Sequence, residues 1–269
     1  STLILSNGNF KSGSTWVTAI THEIYNYRNI DFPYAFQNPK HSNWINRFRI
    51  EDFLSNEKSN IINIWVSKSH IFQERIINEI MINQDNVKVI NIDRDIKDVL
   101  VSHYHHLINA KKIKGDFRNY FYNWGMYKAK QILDYRTAWK DYDCLKLKYE
   151  DLLDKNQETI QKIAKYLKTE LNKDQVLKIQ SETNIDNLRV NLDRKYLNEE
   201  KWFFRKGKKG DWQNYFDDEM ISKINSIRSN KISIQEQLIF YIKFTFRLKI
   251  KYFLYRFFPP LYVKFDKLF

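Results

Sequence analysis

Cysteine, proline and glycine are the scarce residues of this chain: one, four and six among 269. With Cys144 alone, an internal disulfide and every multi-cysteine zinc or iron–sulfur pattern are excluded, and a reducing compartment fits. So little glycine and proline excludes linker-rich and low-complexity chains. The opening "STLILSNG" meets Lys11 too soon for the apolar centre of a secretory signal. Acidic residues are also in deficit, 32 against 45 Lys and Arg, which leaves a formal net charge of +13. That excess suits an anionic partner, whether nucleic acid, a membrane surface, an acidic polymer or a phosphate-rich ligand, and says nothing about fold. Aromatic residues are plentiful, 17 Tyr and 19 Phe, in a chain that is 43% hydrophobic and 29% charged. That balance is an ordinary one for a globular core with appendages.

The apolar pattern alternates between short runs and helical spacing. Residues 2–6 read as a buried strand with a turn at Asn7–Gly8–Asn9, followed by a helix with Trp16, Ala19, Ile20, Ile24 and Tyr27 on its apolar side. Residues 29–59 read as a polar and aromatic excursion. "NIINIWVS" (60–67), "NVKVINI" (86–92) and "DCLKLKY" (143–149) read as strands. Helices are predicted over 75–83, 96–110, 121–139 and near 155–168. Four apolar strands alternating with helices predict an α/β fold: a central, mainly parallel sheet flanked by helices.

The first strand-to-helix connection, "FKSGSTW" (10–16), carries the chemistry. At a helix start, unpaired backbone N–H groups face outward and attract anions. Gly13 allows the backbone a close turn, Ser12, Ser14 and Thr15 carry hydroxyls, and Lys11 brings a full charge with three donors. The order is not that of a nucleotide triphosphatase, because no Gly–Lys–Ser/Thr closes the loop. The same residues would also serve as a plain helix cap.

Further stretches, in fixed order, give the loop a context. "FKSGSTW" resembles the phosphosulfate loop of the cytosolic-type sulfotransferases, which use 3'-phosphoadenosine 5'-phosphosulfate (PAPS) and release adenosine 3',5'-bisphosphate (PAP). "SKSH" (67–70) resembles the Lys–Thr–His segment of that family. "DRDIKDVLVSHYH" (93–105) resembles its 3'-phosphate element, and "RKGKKGDWQNYF" (205–216) its Arg–Lys–Gly–x–x–Gly–Asp–Trp string. "YNWGMYKA" (122–129) and "LKYEDLLDKNQETIQKI" (147–163) also look familial. The matches span residues 2–217. The resemblance implies the P-loop-nucleotide-kinase-like sulfotransferase fold, with a catalytic domain over 1–237 and a C-terminal extension over 238–269. The Lys- and Asn-rich composition points to a bacterial member.

The resemblance also implies roles. Lys11 contacts the sulfonate and 5'-phosphate, with donors from Ser12, Gly13, Ser14 and Thr15, while Trp16 packs by the adenine. His70 is the catalytic base, and Lys68 helps to stabilise the moving sulfonate. Arg94, Ser102, Arg205, Lys206 and Gly207 hold the 3'-phosphate. Tyr149 and Thr183 lie on the adenine side, and Ile185 stands where the family carries a phenylalanine. No metal is implied. The sequence departs from the family at Phe10, where a proline is usual, and at Asp95–Ile96, where Asn–Pro is usual. The family's short C-terminal dimerisation element is replaced by "QNYFDDEMIS", so that dimer mode is not expected. The three histidines of "HYHH" (103–106) invite a metal reading, but no nearby carboxylate or cysteine completes a set.

Residues 238–269 hold 12 aromatic residues, seven Lys or Arg and one Asp. That run is too interrupted by charge to span a bilayer. It suits the interface of an anionic membrane, packing back on the domain, or the grip of an anionic polysaccharide. The acceptor is expected to be a hydroxyl on a glycan or glycolipid, the location cytoplasmic or at the inner membrane face, and nucleic acid is not an expected partner. Two alternatives stand: a nucleotide-dependent small-molecule kinase, and a non-catalytic basic module that binds membrane or nucleic acid.

Overall fold

A computed structural model describes residues 2–26, 64–189 and 205–229, with isolated positions between 231 and 258. The excursion at 29–59, the first residues of the second expected strand and most of the C-terminal extension lie outside the described residues.

Four parallel strands form the sheet: β1 (Thr2–Gly8), β2 (Ile64–Ser69), β3 (Val87–Asp93) and β4 (Leu145–Lys148), in spatial order β2-β1-β3-β4. The uninterrupted apolar runs follow from burial on both faces. Side chains alternate along a strand, so Leu3 and Leu5 enter the same cluster as Val87 and Val89. Ile4 enters the opposite one with Ile90 and Ile92. The first face is covered by α2 (Glu74–Ile82) and by Tyr135 and Trp139 from the long helical segment. The second face is covered by α1 (Ser14–Asn26), α7 (Asn156–Tyr166) and α8 (Lys173–Glu182).

A third cluster joins α3 (Ile96–Asn109), α4 (Phe117–Tyr120), α5 (Met126–Ala138) and α9 (Asp218–Arg228). Between α4 and α5 lies a π-helical turn, Phe121–Gly125, so the helix expected over 121–139 starts earlier and is interrupted. β1 also runs two residues beyond the expected strand, through Asn7 to Gly8. Its last residues find ladder partners at Ser69 and Ile92 on both sides, which overrides their turn propensity. The strand expected over 143–149 ends at Lys148, and Tyr149 opens a short helix α6 (Tyr149–Asp154).

The strand order places the site. The chain passes from β1 to β2 on one side, then to β3 on the other. The connections after β1 therefore diverge and leave a crevice at its C-terminal end, where open α/β sheets bind ligands. Lys11 follows β1, His70 follows β2 and Arg94 follows β3, so all three emerge at that edge.

Candidate active site

The loop after β1 is held by its own hydroxyls. Ser12 is fully buried and donates its hydroxyl proton to the Asn9 carbonyl at 2.7 Å, while its N–H reaches the same oxygen at 3.1 Å. Ser12 therefore shapes the loop. Lys11 occupies φ 61°, a left-handed conformation that costs a non-glycine residue about 1 kcal/mol or more. Gly13 has φ 107°, and a Cβ there would lie 2.8 Å from the Tyr149 ring. This glycine is required both by its conformation and by the close approach of Tyr149.

β2 delivers the next two groups. The Lys68 ammonium donates to the Thr15 hydroxyl at 3.1 Å, which ties the end of β2 to the loop of Lys11. The His70 Nδ1 lies 2.5 Å from the Gly8 carbonyl oxygen. A carbonyl only accepts, so this contact assigns the proton to Nδ1 and leaves the lone pair on Nε2. Burial, and then the charges of Lys68 and Lys128, push the His70 pKa down to about 3. The ring is thus neutral near pH 7, the state a proton acceptor needs, but a weaker base than free imidazole.

A buried polar network fixes the backbone beside His70. The Ile71 N–H donates to Asn7 Oδ1 at 3.0 Å. The Ile71 carbonyl accepts from Asn7 at 3.2 Å and from the Trp139 indole at 2.6 Å. Asn7 also donates to the Tyr135 hydroxyl, which in turn donates to Asn91.

From β3 comes Arg94, buried at 8% exposure. Its guanidinium lies 4.1 Å from the Tyr149 ring centroid, and it donates to the Lys11 carbonyl at 3.2 Å and the Lys208 carbonyl at 3.1 Å. Its buried Nε–H has no partner among the described residues. One side chain therefore joins the first loop, the late loop and Tyr149. Asp95, which stands where the family carries asparagine, is the N-cap of α3. It accepts from the Lys97 N–H at 2.9 Å and the Asp98 N–H at 3.2 Å.

The late loop carries Arg205 and Lys206, both paired with Asp211, whose carboxyl is held down to about 2 despite burial by its bonds from Lys206 and Arg205. Gly207 has φ 63°, and a Cβ there would lie 2.1 Å from Ile185 Cδ1. Ile185 packs in turn on the cluster containing Trp16 and Tyr149. The buried Trp16 indole N–H has no partner among the described residues, and its ring meets Tyr149 edge-on at 5.9 Å. Lys11, Thr15, Lys68, His70 and Arg94 are thus brought together. So are Gly13, Trp16, Tyr149, Ile185 and Gly207. Ser102 stands half-buried on α3, and the Thr183 hydroxyl is given to the Ile179 carbonyl at 2.7 Å, capping α8. The histidines of α3 part company: His103 bonds Tyr120 and His105 bonds Tyr215. Asp98 falls within the stretch 93–105 that carried the resemblance but was given no role there, and the network around Asn7 carried no motif.

The sulfotransferase domain family matches residues 3–235. A flavonol sulfotransferase-like protein of Flaveria bidentis is 29% identical over 249 residues, covering 83% of this chain and 79% of the relative. Cytosolic sulfotransferase 5 of Arabidopsis thaliana is 26% identical, covering 82% and 77%. Among solved structures, a mouse sulfotransferase complexed with PAP superposes with a TM-score of 0.66 at 19% identity, covering 87% of this chain and 85% of that one. Retinol dehydratase in complex with androsterone and PAP gives 0.61 at 18% identity, covering 86% and 80%. These superpositions establish the fold, and the extent of the domain match establishes the lineage: the chain belongs to the sulfotransferase family.

Proposed function

We propose that His70 is the general base, and Lys11 and Lys68 the charge stabilisers, of a direct in-line sulfuryl transfer to a hydroxyl on a glycan or glycolipid. As a member of its family the chain is an enzyme that moves the sulfuryl group of PAPS to a hydroxyl acceptor and releases PAP. The kinase and non-catalytic alternatives give way to that membership.

The observation that carries the mechanism is the Nδ1 contact with Gly8, which leaves Nε2 as the acceptor at the same sheet edge as Lys11 and Lys68. The acceptor oxygen forms a bond to sulfur as the sulfur–oxygen bond to the 5'-phosphate breaks, and the hydroxyl proton passes to Nε2. Negative charge grows on the bridging oxygen, where the ammonium groups stabilise it most. The donor's own charge beside Lys68 opposes the field that lowers the His70 pKa, so the ring becomes a stronger base when the donor is bound. Arg94, Ser102, Arg205, Lys206 and Gly207 receive the 3'-phosphate. Trp16, Tyr149, Thr183 and Ile185 form the adenine side.

The glycan or glycolipid acceptor draws support from the net charge of +13 and the aromatic and basic extension, which would place the enzyme at the inner face of a cytoplasmic membrane. A bacterial source belongs to the same reading and rests on composition alone. A phenolic acceptor is the second reading. It is favoured by the ring pair Phe10–His103, 4.7 Å apart, and by the flavonol acceptors named for the plant relatives.

His70→Ala is expected to lower labelled-sulfate transfer from PAPS by about a hundredfold or more while PAP binding by calorimetry persists. Transfer at the wild-type rate would refute the base assignment. The same assay on separated glycans, lipids and phenols decides the acceptor class.

A further inference from the structure

We propose that Asp98 is the positioning residue for the 3'-phosphate arm of the site, a role that rests on the donor reading above. Asp98 lies in the first turn of α3 and is buried at 3% exposure. Its carboxylate takes two backbone amides from a loop more than a hundred residues later. Oδ2 accepts from the Gly210 N–H at 2.7 Å, and Oδ1 from the Trp212 N–H at 3.1 Å. A buried carboxylate is costly unless its oxygens are satisfied; here two amides and the positive end of α3 meet it.

The loop between Arg205 and Trp212 is also tied at its start by Arg189, which donates to the Arg205 carbonyl at 2.6 Å, and at Lys209 by its ion pair with Asp154. Arg94 holds the Lys208 carbonyl, Lys97 lies 3.0 Å from the Trp212 ring centroid, and Gly207 rests on Ile185. Gly210 sits at φ 79° with nothing within 4 Å of where a Cβ would stand, so backbone conformation alone asks for glycine there. That left-handed turn presents the Gly210 and Trp212 amides to the same carboxylate. The Asp98 clasp therefore sets the base of the loop, and the loop sets Arg205 and Lys206. Those two cations share Asp211.

The consequence is selective. Loosening the clasp should weaken recognition of the 3'-phosphate and leave the 5'-side loop, held by Ser12 and Asn9, unaltered. The experiment compares PAP with AMP, which lacks the 3'-phosphate, by titration calorimetry on wild type and Asp98→Asn. The replacement is isosteric, but its amide nitrogen faces an N–H and cannot accept from it. PAP affinity is expected to fall about tenfold or more, in line with loss of a hydrogen bond to a charged group, with AMP affinity unchanged. KM for PAPS should rise by a similar factor while kcat at saturating PAPS stays within about twofold. Gly210→Ala, which strains the same turn without touching the carboxylate, should give the same selective loss. Unchanged PAP affinity in Asp98→Asn, or an equal loss for PAP and AMP, overturns the proposal. Wild-type protein that binds PAP no better than AMP would instead sink the 3'-phosphate assignment beneath it, and the two failures are separately visible.

Discussion

At the scale of single residues, two imidazoles are held neutral by their surroundings. His106, like His70, is pushed down to about 3, by burial first and then by Lys11, Lys112 and Lys68. Unfolded, each titrates near 6.5. Between about 3 and 6.5 the unfolded chain binds protons that the folded one refuses, so stability rises with pH across that window and is lost as pH falls through it. The melting temperature at pH 5 should lie below that at pH 7.5, and the gap should narrow in His106→Phe. An identical gap in both proteins would contradict the assignment for His106. The residues legible in the sequence were those whose chemistry fits an anion directly: Lys11, Gly13 and Lys68 stand in short runs of cations, glycine and hydroxyls, and Arg94 follows an apolar strand between two aspartates. Asp98 lay inside the quoted stretch 93–105, but its role was not legible, for the same reason. A carboxylate beside residues expected to meet a phosphate looks repulsive until its position shows that it faces amides.

At the scale of elements, four strands and several helices could be read from apolar period, but strand order could not, because pairing joins segments far apart in the chain. Gly8 illustrates the difference: its local sequence asks for a turn, and its ladder partner Ile92 makes it strand. The start of α3 shows the opposite case, where a local feature had a local use. Asp95 accepts from two amides of the first turn, which accounts for a carboxylate directly after Arg94 without any charge clash at the site. Asp95→Ala should cost about 1 kcal/mol in urea unfolding, whereas Asp95→Asn, which can still cap, should cost a few tenths or less. Equal stability of the alanine variant and wild type would show that the cap contributes nothing. Because Arg94 enters the site from the residue before this cap, the alanine variant should also weaken PAP binding, and the asparagine variant should not.

For the whole molecule, charge is the property that motifs do not use up. The anion site accounts for a handful of cations, while seven Lys or Arg and 12 aromatic residues crowd the last 32 positions, beyond the matched domain at 3–235. Among the described residues there, Leu238, Ile242, Phe253, Phe257 and Phe258 are exposed, and no described helix is long and apolar enough to cross a membrane. Exposed rings in a cation-rich stretch of sequence are what an anionic interface rewards, at about 1 kcal/mol for each basic residue near the surface. The full chain should therefore sediment with liposomes containing phosphatidylserine and be released by raising salt, since the attraction is screened within a Debye length. A chain ending at residue 237 should stay in the supernatant. It should also keep sulfate transfer to a soluble acceptor, because every residue assigned to the site lies before that point. Transfer to a lipid-embedded acceptor should fall in the same truncation, through lost encounter with the surface. Equal sedimentation of the two chains would remove the extension from membrane contact and return its rings to packing on the domain.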